Sequence, residues 1–274
     1  MSIRTATLPT LGLALVLAAC SHSAPPPVSA TPDPSAPRAV VTSAAPVIPA
    51  YIRAAVDAED RSPDDKALDG GRKPDQTLAF FGIQPGMRVA EIGAGGGYTT
   101  ELLSRVVGPT GKVYGQNSPF LLQRFAAVPW TARLSKPILR NVVREDREFD
   151  DPLPPEATEL DAVLNVLFYH DTVWIGTDRD KMNRAVFAAL KHGGVYGIVD
   201  HSAAPGTGLA GVKTVHRIDE QTLRAEVEHA GFQLAAEGTF LKNPNDTRDW
   251  NDSPKEAGDR RGTSDRFVLK FVKP

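Results

Sequence analysis

Residues able to do chemistry gather in the second half of the chain, just after apolar runs. His170 and Asp171 follow Leu160–Leu167, Asp200 and His201 follow Val195–Val199, and His216 opens the next segment. An imidazole near a carboxylate can hold or remove a proton near neutral pH, and in α/β proteins such groups act where strands end. His170, Asp171 and His201 are therefore the catalytic candidates, and Tyr169, Asp200, His216 and Arg217 the substrate-binding ones. Three of the six histidines stand near one crevice edge. Each residue also has a plainer reading. His170 is as well placed to be a hydrogen-bonded structural histidine, and Asp171 to cap a helix beginning near Thr172. Asp200-His201 could pin the Gly206-Thr207-Gly208 loop, Tyr169 could be packing, and His216-Arg217 could serve Asp219, an N-cap for Glu220 to Ala230. By type, His170, Asp171, Asp200, His201 and His216 also form an acceptable metal ligand set. No pair has tight H-x-x-x-H spacing, and no metal is expected.

A second feature is the run Val89-Ala90-Glu91-Ile92-Gly93-Ala94-Gly95-Gly96-Gly97-Tyr98. An apolar strand carries an acidic residue, ends in alternate glycines, and turns into the helical pattern Tyr98–Leu103. Such a junction exposes backbone N–H groups at a helix N-terminus and lets a ligand approach the chain closely. The G-x-G-x-x-G dinucleotide pattern is not met, since Tyr98 or Thr100 stands where its last glycine belongs. Further strands read as Lys112–Gly115 ending near Gln116-Asn117, Asn141–Arg144, Leu160–Asn165, Val195–Val199 after a Leu190–Gly194 turn, and Arg266–Phe271. Ile52 to Leu68 has helical spacing, and Asp75–Phe81 reads as a helix leading into the first strand.

This order, with E-x-G-x-G-x-G first, resembles the Rossmann-like (class I) S-adenosylmethionine (SAM) dependent methyltransferases. The Tyr169-His170-Asp171, Asp200-His201 and His216-Arg217-Ile218-Asp219 groups are similar to a group of bacterial methyltransferase-like proteins. The resemblance spans about residues 75 to 240, and the last strand fits the family's closing hairpin. It implies an α/β fold: a doubly wound, mostly parallel seven-stranded sheet with a closing antiparallel strand. It also implies SAM as cofactor, with Glu91, Gly93, Gly95, Gly97 and Tyr98 at its amino-acid end and with Asp146 and Asn165 as further contacts. Asn117 stands where the family usually has the carboxylate that accepts from the ribose, and an amide is the weaker acceptor. An N-terminal helical segment in this position commonly folds over the cofactor cleft. Methyl transfer from a sulfonium needs alignment and, for a protonated acceptor, a base; it needs no covalent nucleophile.

The formal charge of −2 gives no basic face for nucleic acid. The acceptor is therefore expected to be a small molecule. At the N-terminus, Arg4 precedes an apolar stretch from Leu8 to Ala19, too short to span a bilayer comfortably. Leu17-Ala18-Ala19-Cys20 resembles the bacterial lipobox, which implies lipidation at Cys20, the only cysteine. The organisation is thus a signal peptide (1–20), a Pro/Ala/Ser-rich disordered tether (21–49) and a folded domain (50–274). Ser21 implies export to the periplasmic face of the outer membrane, a soluble periplasmic protein being the alternative. Residues 243–263 read as a long loop, a lid or flexible surface bearing Trp250 and Arg261. The leading function is SAM-dependent methyl transfer. The alternative is a non-catalytic or accessory lipoprotein on the same fold, because SAM is made in the cytoplasm. Nothing in the sequence bears on oligomeric state.

Overall fold

The structure, a computed structural model, describes Met1, Ser2, residues 41–43 and residues 45–274. Cys20, nearly all of the expected signal peptide and most of the expected tether lie outside the described residues. The strands are β1 (Val41–Ser43), β2 (Arg88–Ile92), β3 (Lys112–Asn117), β4 (Val142–Asp146), β5 (Leu160–Val166), β6 (Leu190–His201), β7 (Gln233–Gly238) and β8 (Arg266–Val272). They form one sheet in the order β1-β7-β8-β6-β5-β2-β3-β4. β8 runs antiparallel to both β6 and β7, and the other pairings are parallel. The expected seven strands are β2 to β8. The eighth, β1, pairs with β7 at the edge, Thr42 opposite Glu237, inside the stretch expected to be tether.

The helices are α1 (Ala50–Val56), α2 (Pro63–Arg72), α3 (Pro74–Phe81), α4 (Tyr98–Val107), α5 (Pro119–Leu121), α6 (Ala127–Leu134), α7 (Tyr169–Ile175), α8 (Arg179–Ala189), α9 (Val212–Val215) and α10 (Glu220–His229). Strand alternation divides the core between the two faces of the sheet. Val89, Val113, Ala162 and Leu164 pack with Leu102, Leu103 and Val106 of α4 and with Leu78 and Phe81 of α3. Ala90, Tyr114 and Val163 pack on the opposite side with Trp130 of α6, Met182 and Val186 of α8, and Leu223 and Val227 of α10.

Three local expectations need correcting. The single helix from Ile52 to Leu68 is two. The break comes at Ser62-Pro63, where Ser62 accepts from the Asp65 N–H (3.2 Å) and proline takes the first helical position, where its missing N–H costs nothing. The turn at Leu190–Gly194 lies within β6 as a bulge, because Leu160 pairs with Leu190 and Ala162 already pairs with Val195. The helix expected near Thr172 begins at Tyr169. Asp171 therefore sits inside the first turn and caps nothing.

The sheet order reverses between β2 and β5: from β2 the chain winds outward to β3 and β4, and it returns to β5 on the other side. At such a switch point the loops leave the carboxyl edge in opposite directions and open a crevice. The glycine run follows β2, and Leu167-Phe168 follows β5. The two touch, since a Cβ placed on Gly93 would meet the Phe168 ring at 2.2 Å.

Candidate functional site

Glu91 is the fourth residue of β2, and its buried side chain reaches the first turn of α4, where the Thr100 hydroxyl donates to it. Burial pushes its carboxyl up to about 7, against the Thr100 and Thr99 hydroxyls and the charges of Arg72 and Arg133. Gly97, at φ 81°, caps α4, and a Cβ there would meet the Trp130 ring at 2.5 Å and Arg133 Cδ at 2.8 Å. Gly95, at φ 55°, differs: nothing lies within 4 Å of where its Cβ would be. That is the open point of the loop.

The end of β3 holds the loop. Asn117 Oδ1 accepts from Gly95 N–H (2.7 Å), and its Nδ2 donates to Gly95 O (3.1 Å). Gln116 Oε1 accepts from Gly93 N–H (3.1 Å). Asn117 thus lies beside the loop as expected, but its amide is spent on the backbone of Gly95. Arg133 of α6 covers the far side. It donates to Gly96 O (2.6 Å), to Asp65 of α2 (2.5 Å) and to Glu101 of α4 (2.6 Å). Tyr98 donates to Asp69 (2.5 Å), and the Arg72 guanidinium lies 4.5 Å from the Tyr98 ring centroid. Helix α2 therefore lies over the glycine loop, as the resemblance implied. A narrow, mostly apolar cleft runs beside the loop, lined by Arg72, Tyr98, Thr99, Leu167 and Arg266 among others.

The histidines form one chain. Asp200, fully buried at the end of β6, accepts from the backbone N–H of His170 (2.8 Å), from the backbone N–H of His201 (2.8 Å) and from His170 Nδ1 (2.6 Å). His170 Nε2 lies 3.0 Å from His216 Nε2 and 3.4 Å from Asp171 Oδ1. Trp174 Nε1 donates to that same Asp171 oxygen (2.6 Å). Burial alone would lower the His170 pKa, but Asp200 and Asp171 outweigh it and raise it to about 9. His216 is lowered to about 4 by its burial and by the charge on His170. His201 faces Asp252 and the Ser264 hydroxyl (3.0 Å), and burial lowers it to about 4 against the pull of Asp252. His170 is fully buried, its Nδ1 held by Asp200 and its Nε2 facing His216 and Asp171. Asp171 and His216, their side chains each 18% exposed, form the open end of the cluster.

Other expected site residues lie elsewhere. Tyr169 is buried on the α8–α10 face, donating to Glu226 (2.9 Å) and accepting from Asn183 (2.8 Å), because its position in α7 turns it away from His170. Arg217 does not meet Asp219. It is buried, donates to Asp246 (2.6 Å) and lies under Trp250 (4.6 Å). Asp246 also accepts from Asp265 N–H, Arg248 N–H and Trp250 Nε1, so residues 243–265 are pinned rather than free surface. The Gly206 and Gly208 N–H groups go to Asp219, which also caps α10, and not to Asp200 or His201. Asp146 is at the surface, paired with Arg144 (2.8 Å). Asn165 is buried, and neither of its amide atoms has a hydrogen bond. Gln116, Arg133, Arg72 and Asp252 were not among the sequence candidates. Gln116 alone had a signal, its place beside Asn117 at a strand end.

Residues 75–126 match the family model for protein-L-isoaspartate (D-aspartate) O-methyltransferase. The fold is similar to a SAM-dependent methyltransferase from Aquifex aeolicus (TM-score 0.53, 18% identity, covering 77% of this chain and 97% of that one). It is also similar to an arsenic(III) S-adenosylmethionine methyltransferase from Chlamydomonas reinhardtii (TM-score 0.51, 16% identity, covering 83% and 74%). With β8 running antiparallel between β6 and β7, and the glycine loop at the reversal of strand order, the chain has the Rossmann-like fold of the class I methyltransferases.

Proposed function

We propose that this protein is a SAM-dependent methyltransferase that acts on a small-molecule acceptor. The observation that carries the reading is the loop at the switch point. Gly95 is open above it, and the buried Glu91 carboxyl stands behind it next to Arg72. A sulfonium cofactor has no pyrophosphate and carries positive charge, so an acidic strand residue suits it better than an anion cradle would. Glu91, the Gly95 backbone and Tyr98 are the groups we assign to it, and Asn117 would meet its ribose. Bound SAM would supply the electrophilic methyl group. The chain's own part is to exclude water with α2 and to align the acceptor, for which Asp171 and His216 offer the accessible polar atoms. The narrow cleft favours a small acceptor over a macromolecule. We further propose that the chain is exported and anchored through a lipid on Cys20.

One observation favours the accessory reading instead. Asn117 and Gln116 already occupy the Gly95 and Gly93 N–H groups, and Phe168 packs against Gly93. Calorimetric titration of the purified protein with SAM, S-adenosylhomocysteine and NAD separates the two. Binding of the first two but not NAD, lost in Gly95→Asp, is the expected result. Absence of both at millimolar ligand overturns the assignment.

A further inference from the structure

We propose that His170, Asp171 and His216 hold a divalent first-row transition-metal ion, with Asp200 and Trp174 as the partners that orient its ligands. Each of the three offers one ligand atom, and these atoms all lie within 4.8 Å of one another. Two edges of this triangle are 3.0 Å, between the two Nε2 atoms, and 3.4 Å, from His170 Nε2 to Asp171 Oδ1. Ligand atoms about 2.0–2.2 Å from an ion, at angles between a right angle and tetrahedral, stand roughly 3.0–3.6 Å apart. Both edges fall in that range; the third is longer, His216 Nδ1 lying 3.7 Å from Asp171 Oδ1, so the half-buried His216 ring must move toward Asp171 to complete the ligand set.

The surroundings fit this use as well as the distances do. A metal-binding histidine almost always donates its other ring N–H to a carboxylate or carbonyl, which fixes the tautomer and aims the free lone pair at the ion. Asp200 does this for His170. It is buried, it accepts from His170 Nδ1 at 2.6 Å, and the His170 and His201 backbone N–H groups hold it still. The Trp174 indole does the same for Asp171, leaving a second lone pair on Oδ1 and all of Oδ2. His216 adopts φ 58°, uncommon for a residue with a Cβ, at the end of α9, and its ring stands edge-on to that of His170 with centroids 4.1 Å apart. His201 is close by, its ring centroid 5.3 Å from that of His170, but its Nδ1 is committed to Asp252 and Ser264. The ligand set is therefore two imidazoles and one carboxylate, with the remaining positions facing the exposed side of Asp171 and His216. Two nitrogens and one oxygen suit Zn²⁺, Fe²⁺, Co²⁺ or Mn²⁺ and not Mg²⁺ or Ca²⁺, which prefer all-oxygen shells. An open position at this place would take an anionic oxygen or thiolate of a small molecule.

The sequence argued against a metal because no two histidines share a helix at close spacing. The fold removes that objection by bringing His216 to His170 across 46 residues. The test needs no SAM, so its outcome is separate from that of the methyltransferase assignment. The chelator-stripped full chain is titrated with Zn²⁺ and with Co²⁺, read by calorimetry and by the visible d–d bands of bound Co²⁺. One equivalent is expected to bind, with the cobalt bands appearing in step. His216→Ala and Asp171→Asn should each weaken binding at least tenfold, and Asp200→Asn about 10- to 100-fold. Replacement of the outlying His192 or His229 should change nothing. His216 lies partly exposed, so circular dichroism of His216→Ala is expected to match the parent, and that variant decides the matter if a His170 variant fails to fold. Failure to bind either ion below about 0.1 mM, or binding that survives His216→Ala and Asp171→Asn together, overturns the site.

Discussion

Glu91→Gln should stabilise the protein at alkaline pH and leave it unchanged in acid. The Glu91 side chain is buried and its pKa is raised from 4.5 to about 7. Between those values the folded state keeps a proton that the unfolded state has lost. Stability therefore falls as pH rises from 4.5 and is fully reduced above 7. At about 1.4 kcal/mol per pKa unit, the reduction reaches about 3 kcal/mol. Glutamine keeps an oxygen to accept from Thr100 and never ionises, so it escapes the loss. Other groups titrate in the same range, but they are common to both proteins and cancel in the difference. Urea denaturation of parent and variant at pH 4.5, 6 and 8 should give equal midpoints in the first case and a variant ahead by about 3 kcal/mol in the last, with unchanged slopes. The same carboxyl should lose its proton when a cationic ligand arrives, so SAM binding at pH 6 should release a proton. Calorimetry in buffers of different ionisation enthalpy would detect that release. A variant less stable than the parent at pH 8, or a difference independent of pH, would mean that Glu91 is ionised and paired in the fold, and the reasoning would be wrong.

The two glycines at the ends of α4's cap should separate stability from binding. Gly97→Ala meets Trp130 and Arg133 at φ 81° and should cost about 2–5 kcal/mol, whereas Gly95→Ala, with empty space around it, should cost about 1 kcal/mol yet impair SAM binding; thermal unfolding and calorimetry read the two effects. Asp246→Ala strands the buried Arg217 guanidinium and should cost about 3–5 kcal/mol, with limited proteolysis appearing within residues 243–265. Asn117→Asp keeps the acceptor for Gly95 N–H and supplies a carboxylate at the strand end, so it should tighten SAM binding about 5- to 30-fold by calorimetry.

The elements most legible in the sequence were those specified by local pattern. The strand–glycine–helix junction from Val89 to Tyr98 and the strand ends near Asn117 and Asn165 follow from apolar runs and turn residues, each within about a residue of expectation, while α4 runs four residues past Leu103 and β6 two past Val199. The second-half histidines were rightly read as neighbours, because successive strands of a parallel sheet deliver their ends to one edge. What was not legible is which neighbour each group chooses. Arg217 turns to Asp246, 29 residues on, and Arg133 to Asp65, 68 residues back, and no local spacing encodes either partner. Tyr169 and His170 are adjacent in sequence, yet the roughly 100° step between neighbours in α7 sends the first to Glu226 and the second to Asp200. The bulge at 190–194 kept its turn residues but remained in the sheet because the Gly193 N–H and Gly194 O bond to Lys273 of the chain's end.

The loop's own hydrogen bonds decide how the two functional readings should be weighed. A cofactor that bonds to the Gly95 backbone must displace the Asn117 amide, and net hydrogen bonds of this kind are worth about 1 kcal/mol each. Two such bonds lost without replacement would weaken binding by roughly thirtyfold, a large handicap but not an exclusion. Asn117 also needs only rotation about its side chain to release the loop and accept from a ribose hydroxyl, so part of the loss is recovered. A carboxylate at the same position could not donate to Gly95 O and would leave the loop less firmly closed when empty. The asparagine therefore makes the empty site more self-sufficient and the filled one weaker. A protein that met its cofactor rarely would tolerate that balance, whether as a slow enzyme or as a binder. Methyl transfer remains the reading best supported, because the buried Glu91 carboxyl, braced by the Thr100 hydroxyl, stands behind the open Gly95 position and can ionise toward a cationic ligand.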